Sequence, residues 1–188
     1  MAPQRLLGFG ALFGLGMIAL AVVWQGVLRG NVSITDWFPG ESWPVDVLLG
    51  SALGVTFALG AWRLLDVLPS MQRIERLLAD SLQIHRLRYV HALLLGLVAG
   101  IPEEILFRGA IQPTLGWPLT ALLFGALHAI TRTYFVYATV AGLLLGGLAL
   151  WRDGLWAAIA AHSAVDAVLF ALLVRKWRAQ PAQPISAD

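Results

Sequence analysis

The sequence contains no cysteine and very little charge. Its 188 residues include no Cys, and only 13% are Asp, Glu, Lys or Arg, against about 25% in ordinary soluble domains. The absence of cysteine excludes disulfide bonds, thiolate metal sites and a cysteine nucleophile. The low charge excludes an ordinary soluble domain, since 59% of the residues are hydrophobic and the mean hydropathy is +0.75. The composition therefore predicts a membrane protein.

Long apolar runs account for most of the chain. Most of them are close to the roughly 20 residues that a helix needs to cross the hydrocarbon core. They predict an all-α, polytopic membrane protein with a bundle of about six transmembrane helices, arranged as one domain over residues 1–178. The polar tail at 179–188 is expected to be disordered. The six segments are 6–28, 45–65, 91–112, 117–131, 133–151 and 155–175.

Basic residues lie mainly on one side of this predicted bundle. Short cytoplasmic loops collect Lys and Arg, so the pattern predicts a multi-pass protein of the cytoplasmic (inner) membrane with both termini in the cytoplasm. The basic residues are not interleaved with aromatics in a stripe, so no nucleic-acid partner is implied. The residues on the predicted cytoplasmic side are Arg5, Arg73, Arg76, Arg86, Arg88, Arg132, Arg175, Lys176 and Arg178.

Two further patterns concern packing. Between Ser70 and Arg88 the apolar residues recur with helical periodicity against a charged face, which predicts an amphipathic helix on the cytoplasmic interface. Pairs of glycines four residues apart allow helix backbones to approach closely in lipid. These pairs are Gly10 with Gly14, Gly50 with Gly54, Gly96 with Gly100, and Gly142 with Gly146.

Three charged residues stand within the third apolar segment, at Glu103, Glu104 and Arg108. Charged side chains inside a membrane are costly, and a functional site is the default explanation for them. The spacing of four places Glu104 and Arg108 on one helix face, where they can form an ion pair. Glu103 is rotated by about 100° from Glu104, so it is left without that cation. Pro102 removes one backbone hydrogen bond next to it and opens the helix locally.

The later segments add polar and aromatic residues at a similar depth. His162 and Asp166 are four residues apart and face the same way. Counting about 1.5 Å per residue from the segment ends places four side chains roughly 12 to 18 Å into the bilayer. These four are Glu103, His128, His162 and Asp166. A purely structural interpretation applies best to Glu104 with Arg108, as a clamp between helices, whereas the convergence of the other residues favours a site.

Three motifs occur in order on three apolar segments: Glu103-Glu104-x-x-x-Arg108, Phe124-x-x-x-His128 and His162-x-x-x-Asp166. They resemble those of the CPBP family, the CAAX prenyl protease and bacteriocin-processing intramembrane proteases. The resemblance covers residues 91–175. The chain is short and carries no further domain, which predicts a bacterial member.

The resemblance implies a glutamate-dependent endopeptidase acting on a membrane-anchored protein or peptide. It implies that Glu103 and His128 hold and activate a water, that Glu104 supports them with Arg108 as its counter-ion, and that His162 stabilises the oxyanion. Phe124 is expected in a supporting role. The family often has Asn at the position of Asp166, and a carboxylate cannot donate to an oxyanion unless protonated. Asp166 is therefore expected to orient or charge His162.

Three other hypotheses about function involve the same residues. A zinc-dependent protease is the nearest, because two histidines and several carboxylates suffice for a catalytic zinc. No His-Glu-x-x-His pair is present, so the expectation is a metal-free site with no cofactor. A catalytically silent immunity or scaffold protein would keep the bundle and use the site for binding. A proton-coupled transporter also uses intramembrane acids and histidines, but no repeated half is visible. The oligomeric state and the exact substrate are left open.

Overall fold

The protein is a bundle of α-helices. The computed structural model describes residues 2–30, 32 and 35–178, with the side chains of 65 and 66 left aside. No strand occurs in these ranges, so the predicted all-α fold is confirmed. The predicted tail at 179–188 lies outside the described residues. The helices are α1 Pro3–Arg29, α2 Trp43–Val67, α3 Pro69–Ser81, α4 Tyr89–Glu104, α5 Gln112–Leu115, α6 Trp117–Leu127, α7 Arg132–Arg152 and α8 Trp156–Arg178.

Five helices within the described ranges are long and apolar enough to cross a membrane. They are Pro3–Arg29, Trp43–Leu64, Tyr89–Leu115, Arg132–Arg152 and Trp156–Arg178. The fourth predicted segment differs, because its helix α6 has only 11 residues and is about 16 Å long, roughly half of the hydrocarbon thickness. It ends at Leu127, where Nδ1 of His128 binds the Phe124 carbonyl at 2.7 Å. The His128 side chain thus bonds to a carbonyl that would accept from a backbone N–H if the helix continued.

The third spanning helix changes geometry in its middle. Pro102 has no N–H and leaves the Val98 carbonyl without its helical donor. Just beyond it, α4 gives way to a π-helix at Ile105–Ile111, which continues into α5. π-helical turns are rare and often occur at functional sites. The turn that carries Arg108 is therefore wider than an α-helical turn.

Helix α8 is held closely by two neighbours through glycines. Gly54 of α2 contacts the backbone of Ala161, and a methyl group on Gly100 of α4 would lie 2.8 Å from the backbone nitrogen of Ser163. Small residues of this kind let helix backbones touch in a membrane. Because these contacts flank His162 in the sequence, they fix the position of its side chain between α2 and α4.

Helices α2 and α7 both pack on α8 and leave a cleft between them. Across the described part of the chain, the rings of Phe57 on α2 and Tyr137 on α7 stack with centroids 5.6 Å apart. The cleft therefore lies over α8, on the side where His162 is located.

The start of α1 and the end of α8 lie at the same end of the bundle. Leu6 and Leu7 pack in one cluster with Leu173 and Val174. Helix α3, found where the amphipathic helix was predicted, lies at this end as well. Its buried Glu75 pairs with Lys176 at 2.8 Å.

Candidate active site

Glu104 is the fully buried centre of the polar cluster. Its Oε1 accepts a hydrogen bond from Nη1 of Arg108 at 2.8 Å and is 2.7 Å from Nδ1 of His162. The first contact is the ion pair predicted from the spacing of four. The second joins α4 to α8, so one carboxylate positions both a cation and an imidazole.

Arg108 is held on several sides. Its side chain is buried, and Nη2 donates to the Gly142 carbonyl of α7 at 3.2 Å. The guanidinium carbon lies 4.7 Å from the ring centroid of Phe124, a cation–π distance. Phe124 also packs against His128, with ring centroids 4.3 Å apart. Phe124 therefore fills the space between the cation and the histidine.

The hydrogen bond of His128 defines which nitrogen faces the cluster. The Phe124 carbonyl can only accept, so Nδ1, 2.7 Å away, carries the proton. In the neutral ring Nε2 then has the lone pair. This nitrogen is 3.7 Å from Oε2 of Glu103.

Glu103 Oε2 faces both imidazoles. It lies 3.7 Å from Nε2 of His128 and 3.8 Å from Nε2 of His162. Within the described residues, this oxygen is buried and has no hydrogen-bond partner. The separations are too long for direct hydrogen bonds, yet they let one small molecule contact Glu103 and a histidine together. The structure thus brings together side chains from α4, the end of α6 and α8.

Asp166 lies near His162 but does not hold it. Its Oδ2 is 3.8 Å from Nε2 of His162, which is within ion-pairing range and too long for a hydrogen bond. From the sequence, Asp166 is expected to orient or charge His162. In the structure Glu104 binds the ring, because close packing of α4 on α8 brings its carboxylate nearer. Sequence spacing alone does not show this contact between distant segments. Asp166 lies at a distance from which it can stabilise a charge on the ring.

A cavity of about 500 Å³ opens beside the cluster, between α2, α7 and α8. Glu103, His128, His162 and Asp166 lie on its wall. Much of the remaining wall is apolar and comes from α2 and α7, including Leu53, Phe57, Leu144, Leu148 and Trp151. The acidic and histidine side chains of the cluster therefore face a space whose walls are largely apolar.

Two tyrosines of the cavity wall were not predicted as site residues from the sequence. Tyr134 and Tyr137 line it, and the ring of Tyr134 lies 6.5 Å from that of His128. Their spacing of three places them on one face of α7. That signal is weak, because Tyr near the end of an apolar segment also occurs as an interfacial anchor.

The same cluster contains imidazoles and carboxylates, the side-chain types that bind a catalytic zinc. Across residues 2–30, 32 and 35–178, no group of three or more His, Asp or Glu side chains has an arrangement that could hold a metal ion. Oε1 of Glu104 and Nδ1 of His162 are already paired with each other. The expectation of a metal-free site stays a prediction.

Comparison with known proteins supports the resemblance. Residues 86–168 match the family model described as type II CAAX prenyl endopeptidase Rce1-like. The predicted family resemblance is confirmed. The Rce1-like segment runs from the residues before α4 into α8 and overlaps most of the predicted core at 91–175. All the predicted site residues lie within it: Glu103, Glu104, Arg108, Phe124, His128, His162 and Asp166.

A bacterial relative matches much the same length of chain. It is the uncharacterized protein YpbD of Bacillus subtilis (strain 168), which is 35% identical over 88 residues. The match covers 45% of this chain and 46% of that protein, so the two align over about half of each. No solved structure matches.

Proposed function

We propose that the chain is an intramembrane endopeptidase that hydrolyses a peptide bond in a membrane-associated protein or peptide tail. The observation that carries the proposal is the position of Glu103 Oε2, 3.7 and 3.8 Å from the Nε2 atoms of His128 and His162. The match to a family named for a prenyl endopeptidase supports this reaction class.

In the proposed mechanism, Glu103 and His128 hold one water between them. A water can sit about 2.8 Å from each of two atoms that are 3.7 Å apart. Glu103 takes a proton as the water oxygen attacks the carbonyl carbon of the substrate. The proton then passes to the nitrogen of the leaving amine as the peptide bond breaks. General acid–base catalysis of this kind contributes about 10² to 10⁴ in rate.

His162 is the proposed donor to the oxyanion of the tetrahedral intermediate. Its Nδ1 is committed to Glu104 at 2.7 Å, so Nε2 is the atom that faces the cavity. To donate from both nitrogens the ring must be an imidazolium, and the carboxylates of Glu104 and Asp166 stabilise that charge by Coulomb attraction. A preorganised oxyanion donor contributes roughly 3 kcal/mol in soluble enzymes.

Glu104 and Arg108 are positioning residues in this scheme. The carboxylate holds the His162 ring, and the guanidinium balances the carboxylate at 2.8 Å. Hydrogen bonds between charged groups are about twice as strong as neutral ones. The pair therefore keeps His162 in one orientation without contacting the substrate.

The proposed substrate is an apolar or lipid-associated segment of a membrane-anchored protein. The cavity is bounded on two sides by apolar residues of α2 and α7, and the cleft between these helices faces the bilayer if the helices span it. A segment already in the membrane reaches the site without crossing water. Prenylated C-terminal tails, peptide leaders and sorting-signal tails are the candidate classes.

The proposed location is the cytoplasmic (inner) membrane, with several passes and both termini in the cytoplasm. The shared packing of Leu6 and Leu7 with Leu173 and Val174 supports it, because it places both ends of the described chain at one end of the bundle. The basic residues found at this end agree with the preference of Lys and Arg for the cytoplasmic side.

The experiment uses purified protein in lipid vesicles with a panel of the three tail classes, and mass spectrometry detects cleavage. We expect at least one tail to be cleaved, and cleavage to persist after metal is stripped with a chelator. A double variant, Glu103→Gln with His128→Gln, serves as the control for contaminating proteases. Absence of cleavage across the panel, or equal cleavage by the double variant, contradicts the proposal. Loss with chelator and recovery with zinc contradict the metal-free mechanism.

A further inference from the structure

A second cavity lies on the other side of the π-helix from the site described above. It measures about 590 Å³ and is lined by residues of α1, the π-helix, α5 and α7. We call it the Arg108 cavity. Among its wall residues are Gln25, Trp37, Arg108, Gln112, Ala149 and Asp153.

The Arg108 cavity reaches from charged residues inward along α7. Asp153 at the end of α7 and Asp36 lie on its exposed rim, together with Arg29. Farther in, Nε2 of Gln112 donates to the Gly146 carbonyl of α7 at 3.1 Å. From position 153 to position 146 the helix rises about 10 Å. A polar surface therefore extends well into a segment of the chain that is long enough to span a membrane.

Two buried polar atoms at the inner end lack partners. The side chains of Arg108 and Gln112 are 3% and 6% exposed. Within the described residues, Arg108 Nε and Gln112 Oε1 have no hydrogen-bond partner. One is a donor and the other an acceptor, and leaving such groups unsatisfied costs about 1–3 kcal/mol each. Both side chains line the cavity.

The charges on the wall favour a neutral ligand. The charge of Arg108 is balanced by Glu104 at 2.8 Å, and the rim carries one cation, Arg29, with two anions, Asp36 and Asp153. No net positive charge is left to select an anion. A ligand that both accepts from Nε–H and donates to Oε1 satisfies the two buried atoms, and water does both. The volume far exceeds the roughly 10–15 Å³ that one water requires.

We propose that the Arg108 cavity is a water-binding site that solvates the Arg108 guanidinium from the side away from the active-site cavity. Water in the cavity then forms a path along its wall, from Asp153 at the rim to Gln112 at the inner end. Hydration from this side lowers the cost of keeping an ion pair in the membrane interior. Arg108 thereby lies between two cavities, a hydrated one and the largely apolar one that contacts the proposed catalytic groups.

The test uses single cysteines, for which the cysteine-free chain is a ready background. The full chain in lipid vesicles is treated with a charged, membrane-impermeant methanethiosulfonate reagent, which reacts with ionised thiols in water. Asp36→Cys marks the rim, Ala149→Cys the wall and Gln112→Cys the inner end. Val27→Cys is the lipid-facing control, because Val27 is 75% exposed on α1 and lies two residues before the helix ends at Arg29.

We expect labelling at Asp36, Ala149 and Gln112, at rates that fall in that order, and at least tenfold slower labelling at Val27. Labelling at Asp36 without labelling at Gln112 overturns the proposal, because water then stops short of Arg108. Equal labelling at Val27 and Ala149 overturns it too. Each variant is first checked for a single elution peak, which sets misfolded protein aside. Because Ala149→Cys is the smallest change, its labelling rate against that of Val27→Cys decides whether the cavity wall is in contact with water or with lipid. Labelling needs no turnover, so its outcome is independent of the proposed peptidase activity.

Discussion

Glu104 on α4 and His162 on α8 are joined through Oε1 and Nδ1 at 2.7 Å, although 58 residues separate them in the sequence. The same oxygen receives Arg108. The buried Glu104 carboxylate therefore sets the orientation of the His162 ring, rather than Asp166 on the same helix.

The first prediction compares Glu104 and Asp166, two of the three acids beside His162. Glu104→Gln removes the charge from a short hydrogen bond that is worth about 1.5–3 kcal/mol, so kcat/KM for the cleaved tail is expected to fall by roughly 10–100-fold. Asp166→Asn removes a contact of 3.8 Å and is expected to cost less than about tenfold. A larger loss for Asp166→Asn than for Glu104→Gln contradicts the assignment.

The second prediction concerns the stability of the ion pair. Arg108→Leu leaves the Glu104 carboxylate buried without its cation, and breaking a buried pair in this way costs about 3–5 kcal/mol. Thermal unfolding in detergent should show a lower midpoint. Adding Glu104→Gln to Arg108→Leu removes the uncompensated charge and should restore part of the loss. A double variant less stable than Arg108→Leu alone argues against a charge-balancing role.

The third prediction concerns His128. His128→Gln removes the ring nitrogen that faces Glu103 at 3.7 Å, and the cleavage rate should fall by about 10² or more. The matched control is His85→Gln, because His85 is exposed and remote from the cluster. The control should cleave at the rate of the unchanged chain. Similar rates for the two variants contradict a catalytic role for His128.

The fourth prediction compares two glycines of α2. Gly54 contacts the backbone of Ala161, whereas a methyl group on Gly60 meets nothing within 4 Å. Gly54→Ala forces α2 away from α8 and should cost about 1–3 kcal/mol in stability. Gly60→Ala should be neutral or stabilising by up to about 1 kcal/mol. Thermal unfolding of both variants measures the difference, and equal midpoints contradict the close packing.

Much of this arrangement is predictable from local sequence. Run lengths and hydropathy gave the helices, and the spacing of four gave the Glu104–Arg108 pair. The glycine pairs pointed to backbone contacts without naming their partners. Since depth along each segment is countable at about 1.5 Å per residue, the meeting of Glu103 with the two histidines was predictable as well.

Other features depend on how the helices rotate against one another. The sequence predicts that Asp166 orients or charges His162, but it does not show that packing of α4 places Glu104 at 2.7 Å from the same ring. The fourth apolar segment was expected to cross the membrane, and its helix ends at Leu127. There the His128 side chain binds the Phe124 carbonyl. Hydropathy does not detect a side chain that competes for a helical carbonyl.

The most direct test of the proposed mechanism is the cleavage rate of Glu103→Gln, measured beside Glu41→Gln with equal amounts of folded protein in the same vesicles. Glu41 is exposed and lies in the segment before α2, so its variant controls for the chemical change alone. The account predicts that Glu103→Gln loses at least about 10² in rate while it folds normally, and that Glu41→Gln cleaves like the unchanged chain. Cleavage by Glu103→Gln at the rate of Glu41→Gln would contradict it.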